Sequence, residues 1–262
     1  MLSFSDVSYG WSEKQLLQKN LTFDLKEGSI NVLLGTNGCG KSTLFSLLGG
    51  DRIFHKGDIR CLGRNFADFT IRERATTFGI IGQRPANYGA MNVLSYMQTA
   101  WYPFLSIFAH PGAEERRGSL ESLEKLGILQ WKDRPLQQLS YGEMRLVQLA
   151  RALVGGRKIL LLDEVDSALD FANRIHFSDV IRSLVREGKV VFMITHDPNL
   201  ALALESQVLL LGKNTPSLFG SSRDVITPEN ISRFFGVKVI KTRSCNSRIE
   251  QIVADFNGRS IF

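Results

Sequence analysis

Gly35-Thr36-Asn37-Gly38-Cys39-Gly40-Lys41-Ser42-Thr43 fits the spacing G-x-x-x-x-G-K-[ST], and its flanks decide what that spacing means. Upstream, Ile30-Asn31-Val32-Leu33-Leu34 has the composition of a short buried strand; downstream, Leu44, Phe45, Leu47 and Leu48 recur at helical spacing. Strand, glycine-rich loop and helix in that order make a phosphate cradle. The glycines let successive backbone N–H groups turn inward, and a helix starting near Lys41 aims the positive end of its dipole at the anion. Lys41 reaches the terminal phosphates of a triphosphate, and the Ser42 hydroxyl completes the shell of a Mg2+ ion. Cys39 sits at the same helix start, where the dipole favours a thiolate.

The chain has 262 residues, 44% of them hydrophobic, enough for a sizeable core and for one domain with a subdomain or a tail. Cys39, Cys61 and Cys245 have no paired spacing, so neither a disulfide framework nor a metal cluster is expected, and the compartment reads as reducing. Met1-Leu2-Ser3-Phe4-Ser5-Asp6-Val7 lacks the basic and apolar regions of a secretory leader. The most apolar stretch, Ala90 to Ala109, is interrupted by Asn92, Ser95, Gln98, Thr99 and Pro103. It falls short of the roughly 18 consecutive apolar residues that a spanning helix needs. The formal charge is +6, but Lys and Arg are scattered without a dense block, which reads as solvated surface; no nucleic-acid partner is expected.

Taken in order, Leu2 to Ser8 and Asn20 to Leu25 alternate as strands of an antiparallel flap. Tyr9 closes the first strand, where an aromatic face can stack on a base; Trp11 competes for that role two residues on. Phe78-Gly79-Ile80-Ile81-Gly82 is a buried strand with Gln83 at its exit, a carboxamide able to ligate a metal ion or hold an attacking water. From Ala86 to Trp131 the strand-like runs stop and helix-compatible windows begin. Leu120, Leu123, Leu126 and Leu129 mark an amphipathic helix over Ala113 to Leu129 that ends around Gly127. The apolar group Trp101, Tyr102, Phe104, Leu105, Ile107 and Phe108 is either core or a docking face for a partner helix.

Leu139-Ser140-Tyr141-Gly142-Glu143 opens a strongly amphipathic helix, with Ser140 and Glu143 spaced as a capping box. The same helix start can serve as a second anion site. Lys158-Ile159-Leu160-Leu161-Leu162 is the continuous apolar run of a central parallel strand and ends in Asp163-Glu164. Two acids at the end of a buried strand are costly unless they serve an ion or a water: Asp163 suits Mg2+, and Glu164 a general base. Lys189 to Ile194 is the next core strand, with His196 just beyond its end. Buried strands alternating with helices give an α/β fold, a mostly parallel core sheet with the polar residues of interest along one edge.

The phosphate loop, Gln83, Leu139 to Glu143, Asp163-Glu164, Asp170 and His196, in this order, resemble the ATPases of the ATP-binding cassette (ABC) family. The resemblance implies a P-loop NTPase of that type, with an N-terminal antiparallel β-subdomain and a helical subdomain at about residues 85–155. Residues 1–212 then form the ATPase domain and 213–262 a C-terminal extension. In the family's terms Tyr9 stacks on adenine. Asn37, Gly38, Cys39, Gly40, Lys41, Ser42 and Thr43 bind ATP; Ser42, Gln83 and Asp163 hold Mg2+; Glu164, His196 and Gln83 are catalytic. Ser140, Tyr141, Gly142 and Glu143 form the signature segment, which meets the ATP of a second subunit, and Asp170 lies in the D-loop.

Three positions depart from the family pattern. Tyr141 and Glu143 stand where Leu-Ser-Gly-Gly-Gln has Gly and Gln, and Val165 stands where Pro follows the catalytic Glu. Glu143 brings a negative charge to an anion site unless it turns back into the capping box. The resemblance further implies a second ATPase subunit, permease subunits docked on the Gln83 to Phe108 region, an indirect substrate-binding protein, and a peripheral place on the cytoplasmic face of the cell membrane. The stretches Gln83 to Ser106 and Asp224 to Val237 are similar to importers of iron-siderophore complexes, haem and cobalamin, with molybdate or another metal-related cargo as neighbours. The alternative is a non-transport ABC ATPase acting in assembly or on nucleic acid; it predicts a fused second cassette, long coiled-coil arms or a dense basic patch.

Overall fold

The apolar runs Ile30–Leu34, Ile159–Leu162 and Val190–Ile194 need cover on both faces, because successive side chains of a strand point to opposite sides. The computed structural model describes residues 1–51, 53–82, 90–213, 215–243 and 250–255. Its strands and helices are, in chain order, β1 (Leu2–Ser12), β2 (Gln15–Leu25), β3 (Ile30–Gly35), α1 (Lys41–Gly49), β4 (Phe54–Cys61), β5 (Arg64–Asn65), α2 (Ile71–Thr77), β6 (Phe78–Ile81), α3 (Val93–Gln98), α4 (Ala113–Lys125) and α5 (Tyr141–Leu153). There follow β7 (Ile159–Asp163), α6 (Phe171–Arg186), β8 (Val190–Ile194), α7 (Pro198–Ala203), β9 (Gln207–Leu211), β10 (Leu218–Ser221), α8 (Ser222–Val225), α9 (Pro228–Phe235), β11 (Val239–Arg243) and β12 (Glu250–Ala254).

A six-stranded sheet runs β10-β9-β3-β8-β7-β6, parallel except for β10, and a four-stranded antiparallel sheet runs β2-β1-β4-β5. Alternation sorts the central strands between two cores. Val32, Leu34, Leu160, Leu162, Val191 and Met193 pack with α5, α6 and α7. Leu33, Ile159, Leu161, Val190, Phe192 and Ile194 pack with β1, β2 and α1. Leu33 pairs with Ile194, and Ile194 with Asp163, so the exits of β3, β8 and β7 stand level at one edge. β10 pairs antiparallel with β9, so the sheet continues beyond residue 212. The α7 side chain Asn199 bonds both backbone groups of Ile252, at 3.1 and 2.8 Å, and pins the β11–β12 hairpin to the body.

The helical part comprises α3, a 3-10 turn at Thr99–Phe104, α4 and α5. Arg157, buried between it and the sheet, donates to the carbonyls of Ala100, Val154 and Ala75 at 2.9, 2.6 and 2.9 Å. Burial lowers its pKa to about 10, which leaves it charged at neutral pH, and these three carbonyls answer the charge. The apolar group at Trp101–Phe108 divides. Trp101 donates through Nε1 to Ser119 Oγ at 3.0 Å, and Phe104 packs under Arg157 and against Gly155. Tyr102 is 52%, Ile107 90% and Phe108 93% exposed. The group is thus both core and surface: Trp101 and Phe104, three residues apart on the 3-10 turn, share its inner face, whereas Ile107 and Phe108 lie beyond its end.

Gly155 holds a φ of +71°, and a Cβ there would lie 2.3 Å from the Phe104 ring. Gly155→Ala is expected to destabilise the chain by about 1–3 kcal/mol in urea denaturation, through backbone strain and displacement of Phe104.

Candidate functional site

The phosphate loop is built between β3 and α1, with Gly40 at φ +103° as the turn into the helix. A Cβ on Gly40 would lie 3.2 Å from both Leu17 Cβ and Tyr9 Oη, so glycine is required for space as well as for backbone conformation. The loop is braced from behind. Gln18, buried on β2, donates from Nε2 to the carbonyls of Cys39 and Gly212, each at 2.8 Å. Asn37, Gly38 and Ser42 face outward, while Thr43, in the first turn of α1, is buried. Lys41 folds over the loop and donates from Nζ to the carbonyls of Gly35 and Thr36 at 2.8 and 3.1 Å.

Two expectations in this region are corrected. The Tyr9 ring is 0% exposed, and its hydroxyl donates to the Gly40 carbonyl at 2.9 Å; it wedges under the loop and offers no face to a base. The cause is a pair of register shifts flanking Tyr9, which bury Val7, Ser8, Tyr9 and Gly10 in succession where simple alternation expects every second residue. Trp11, at 63% exposure, is the ring of this strand with an open face. The Cys39 thiol turns into the core toward Gly35, and burial pushes its pKa up, outweighing the favourable charge of Lys41.

At the exit of β7 lie Asp163 and Glu164. Asp163 is 8% exposed, and its Oδ1 has no hydrogen-bond partner. Burial first and the neighbouring Glu164 charge second raise its pKa, against a hydrogen bond from the Ser42 hydroxyl and the fields of Lys41 and Arg145. Glu164 adopts φ 51° and ψ 38°, a left-handed conformation costing a non-glycine residue about 1–2 kcal/mol. Its N–H bonds the Ile194 carbonyl at 3.0 Å, and Ser167 Oγ caps its carbonyl at 2.8 Å. That backbone turn aims the carboxylate sideways, and Oε1 meets His196 Nε2 at 2.7 Å. Asp170 caps α6, accepting from the Asn173 N–H at 2.8 Å.

The sequence reading missed a second tie between these strand exits. Buried Asp166 accepts a 2.6 Å hydrogen bond from the Thr195 hydroxyl, which in turn accepts from the Asp197 N–H at 3.1 Å; the link flanks His196. Burial raises the pKa of Asp166 too. An acid two residues past Asp163-Glu164 was the available signal; nothing in the spacing says that it meets Thr195.

The signature segment forms the start of α5. Ser140 and Glu143 make the full capping box: Ser140 N donates to Glu143 Oε2 at 2.7 Å, and Glu143 N to Ser140 Oγ at 3.2 Å. Arg134 bonds Glu143 Oε1 at 2.9 Å, and this partner with the Ser140 N–H holds the Glu143 carboxyl below its usual range. The negative charge at position 143 is therefore turned inward and countered. Tyr141 stands 46% exposed, and Gly142 follows it in the first helical turn.

Sheet order thus brings Lys41, Ser42, Asp163, Glu164 and His196 to one edge. The hydrogen bonds that Ser140 and Glu143 make among the described residues stay within the helical part. Gln83 lies outside the described residues; Gly82, just before it, is at the same edge, beyond β6.

A family model described as ABC transporter matches residues 18–167. The chain belongs to the ABC transporter family. It is 28% identical over 237 residues to the iron(3+)-hydroxamate import ATP-binding protein FhuC of Bacillus subtilis, covering 90% of this chain and 88% of that one. It is 30% identical over 248 residues to the molybdate import ATP-binding protein MolC of Haemophilus influenzae, with 93% and 91% coverage. A solved structure described as a metal-chelate type ABC transporter in an inward-facing conformation superimposes with a TM-score of 0.84 at 29% identity, covering 97% of this chain and 96% of that one. As an ABC ATPase, the protein binds and hydrolyses ATP.

The ABC fold implies Mg2+ with the nucleotide, and the residues fit it. A hydroxyl and a carboxylate are joined at the strand exit, and one buried carboxylate oxygen is unpartnered, hard oxygen donors of the kind Mg2+ takes. Without the cation, ionised Asp163 opposes folding, because a raised carboxyl pKa means that the folded state prefers the protonated form. Asp163→Asn, in metal-free buffer at neutral pH, is expected to raise the thermal midpoint by about 2–4 °C. The gain should shrink as pH falls and the parent Asp163 takes up its proton. Hydrolysis should fall at least about a hundredfold. A lowered midpoint would contradict this account of Asp163.

Proposed function

We propose that this protein is the ATP-hydrolysing motor subunit of an importer whose cargo is an iron-siderophore complex, haem, cobalamin or a related metal compound. The observation that carries the reading is the joining of Lys41, Ser42, Asp163, Glu164 and His196 at one sheet edge, while Ser140 and Glu143 of the capped signature helix bond within the helical part. A site divided in this way suits two copies paired head to tail, each supplying the signature start of α5 to the nucleotide of the other.

In this reading the backbone N–H groups of residues 37–43 hold the β- and γ-phosphates, and Lys41 exchanges its two loop carbonyls for phosphate oxygens. Trp11 replaces Tyr9 as the ring that stacks on adenine. Glu164 accepts the proton of the attacking water, and His196 keeps that carboxylate aimed at it. Ser42, Asp163 and Gln83 would hold Mg2+, which neutralises charge on the phosphate oxygens. Ser140 and Gly142 of the second copy close the γ-phosphate side, with Asp170 at the seam between the copies. No helix among the described residues is long and apolar enough to cross a membrane. In this reading the work of ATP is delivered at the cytoplasmic face through permease subunits docked on the Gln83 to Phe108 region, where Tyr102, Ile107 and Phe108 stand exposed. A substrate-binding protein is reached only through them. The names of the relatives, importers of iron hydroxamate and of molybdate, support the direction of transport and the metal-related cargo.

Glu164→Gln should lower turnover by about a hundred- to ten-thousandfold and, with ATP and Mg2+, trap a dimer visible by sedimentation. A chain that stays monomeric under those conditions refutes the paired arrangement. Purification from the native membrane should bring down a polytopic protein in stoichiometric amount; recovery with soluble proteins or nucleic acid alone would remove the transport assignment. Trp11→Ala should weaken ATP binding about fivefold by calorimetry, whereas Tyr9→Phe should cost stability, about 1 kcal/mol. Unchanged ATP affinity in Trp11→Ala would remove Trp11 as the stacking ring.

A further inference from the structure

Arg145 lies one turn into α5 and is 1% exposed, the largest fully buried side chain of the described residues. A guanidinium carries five N–H donors in a rigid fork, so its burial has to be answered by acceptors in fixed directions. Nη2 donates to the Tyr141 hydroxyl at 2.7 Å, and the guanidinium carbon lies 4.9 Å from the centre of the Tyr141 ring. Nη1 donates to the Gly82 carbonyl at 2.7 Å and to Gln148 Oε1 at 3.0 Å. One side chain thus joins the exposed aromatic of the signature segment to the main chain leaving β6, next to Gln83. Its charge also reaches Asp163.

We infer that Arg145 is a positioning residue that locks the Tyr141 ring and the Gly82 carbonyl into one arrangement, so that contact at the signature segment is transmitted to the point where the chain enters Gln83. The inference rests on the paired reading above. A displacement of Tyr141 cannot leave Arg145 in place without stranding a buried donor, and a displacement of Arg145 withdraws its bond from Gly82. The tie is between side chain and backbone across two structural layers, the helical part and the sheet. It also gives position 141 a use for the bulk that replaces glycine: the ring is held by its hydroxyl to a buried cation instead of being free to block the nucleotide.

Tyr141→Phe tests the tie directly, since it keeps the ring and removes the acceptor on a half-exposed side chain that the fold tolerates. In the Glu164→Gln chain with ATP and Mg2+, it is expected to weaken dimerisation about five- to tenfold, read by sedimentation. In the nucleotide-free single variant, amide exchange at Ile81 and Gly82 should speed up more than in the core strands β7 and β8, which report any general loss of stability. Arg145→Lys should give the same two effects, and Tyr141→Phe with Arg145→Lys should be no worse than Arg145→Lys alone. Unchanged exchange at Gly82 in Tyr141→Phe overturns the inference, as do dimerisation losses that multiply in the double variant. If the Glu164→Gln parent itself fails to dimerise, the paired reading falls, and the exchange measurement still decides whether Tyr141 and Gly82 are tied.

Discussion

A carboxylate at the closed end of a buried strand is the constraint on which this molecule turns. Asp163 ends β7, which has apolar neighbours on both faces, and its field is shaped by Ser42, Lys41, Glu164 and Arg145 together. Such a group opposes folding unless cationic charge meets it. The parallel sheet makes that meeting possible. Because β3, β8 and β7 all run the same way and their register is level, their exits deliver a phosphate loop, a histidine and two acids to one edge without any long connection.

The phosphate loop owes its shape to groups that never face it from the front. Gln18 and Tyr9, both buried, hold the carbonyls of Cys39 and Gly40 from the N-terminal sheet. Glu164 is held in a similar way. Its strained backbone is fixed by the Ile194 carbonyl and the Ser167 hydroxyl, so its direction is set before any substrate arrives. Asp166 and Thr195 add a second tie between the same two strand exits. The geometry of this sheet edge is carried by backbone and buried polar contacts, not by the exposed groups alone.

The helical part meets the sheet through an apolar face to which two buried arginines add polar joints. Arg157 binds carbonyls from α2, the 3-10 turn and the end of α5, and Arg145 binds one beyond β6. Polar joints with fixed directions differ from an apolar interface in that they do not slide: a shift either preserves the hydrogen bonds or breaks them. This gives the signature segment a defined station relative to the catalytic edge. The capping box and Arg134 likewise settle the departure at Glu143, whose charge is spent inside the helix start and not presented to an anion.

Much of this was legible in the sequence. The phosphate loop, the two-faced strands, the acid pair, His196 and the capping box depend on local spacing and on the period of apolar residues, and both survive into the fold unchanged. Tyr9 shows the limit. Its identity and position fitted a stacking ring, but two register shifts in β1 turned it under the loop, and bulges leave little trace in a single sequence. Gln18, Arg145, Asp166 and Thr195 were equally hidden, since their partners lie on other elements and no spacing rule connects them. Local pattern determined which chemistry the chain carries and at which strand ends. The tertiary structure decided which groups are buried, which way they point and what holds them there, because those depend on contacts between residues that only the packed sheet and helices bring together.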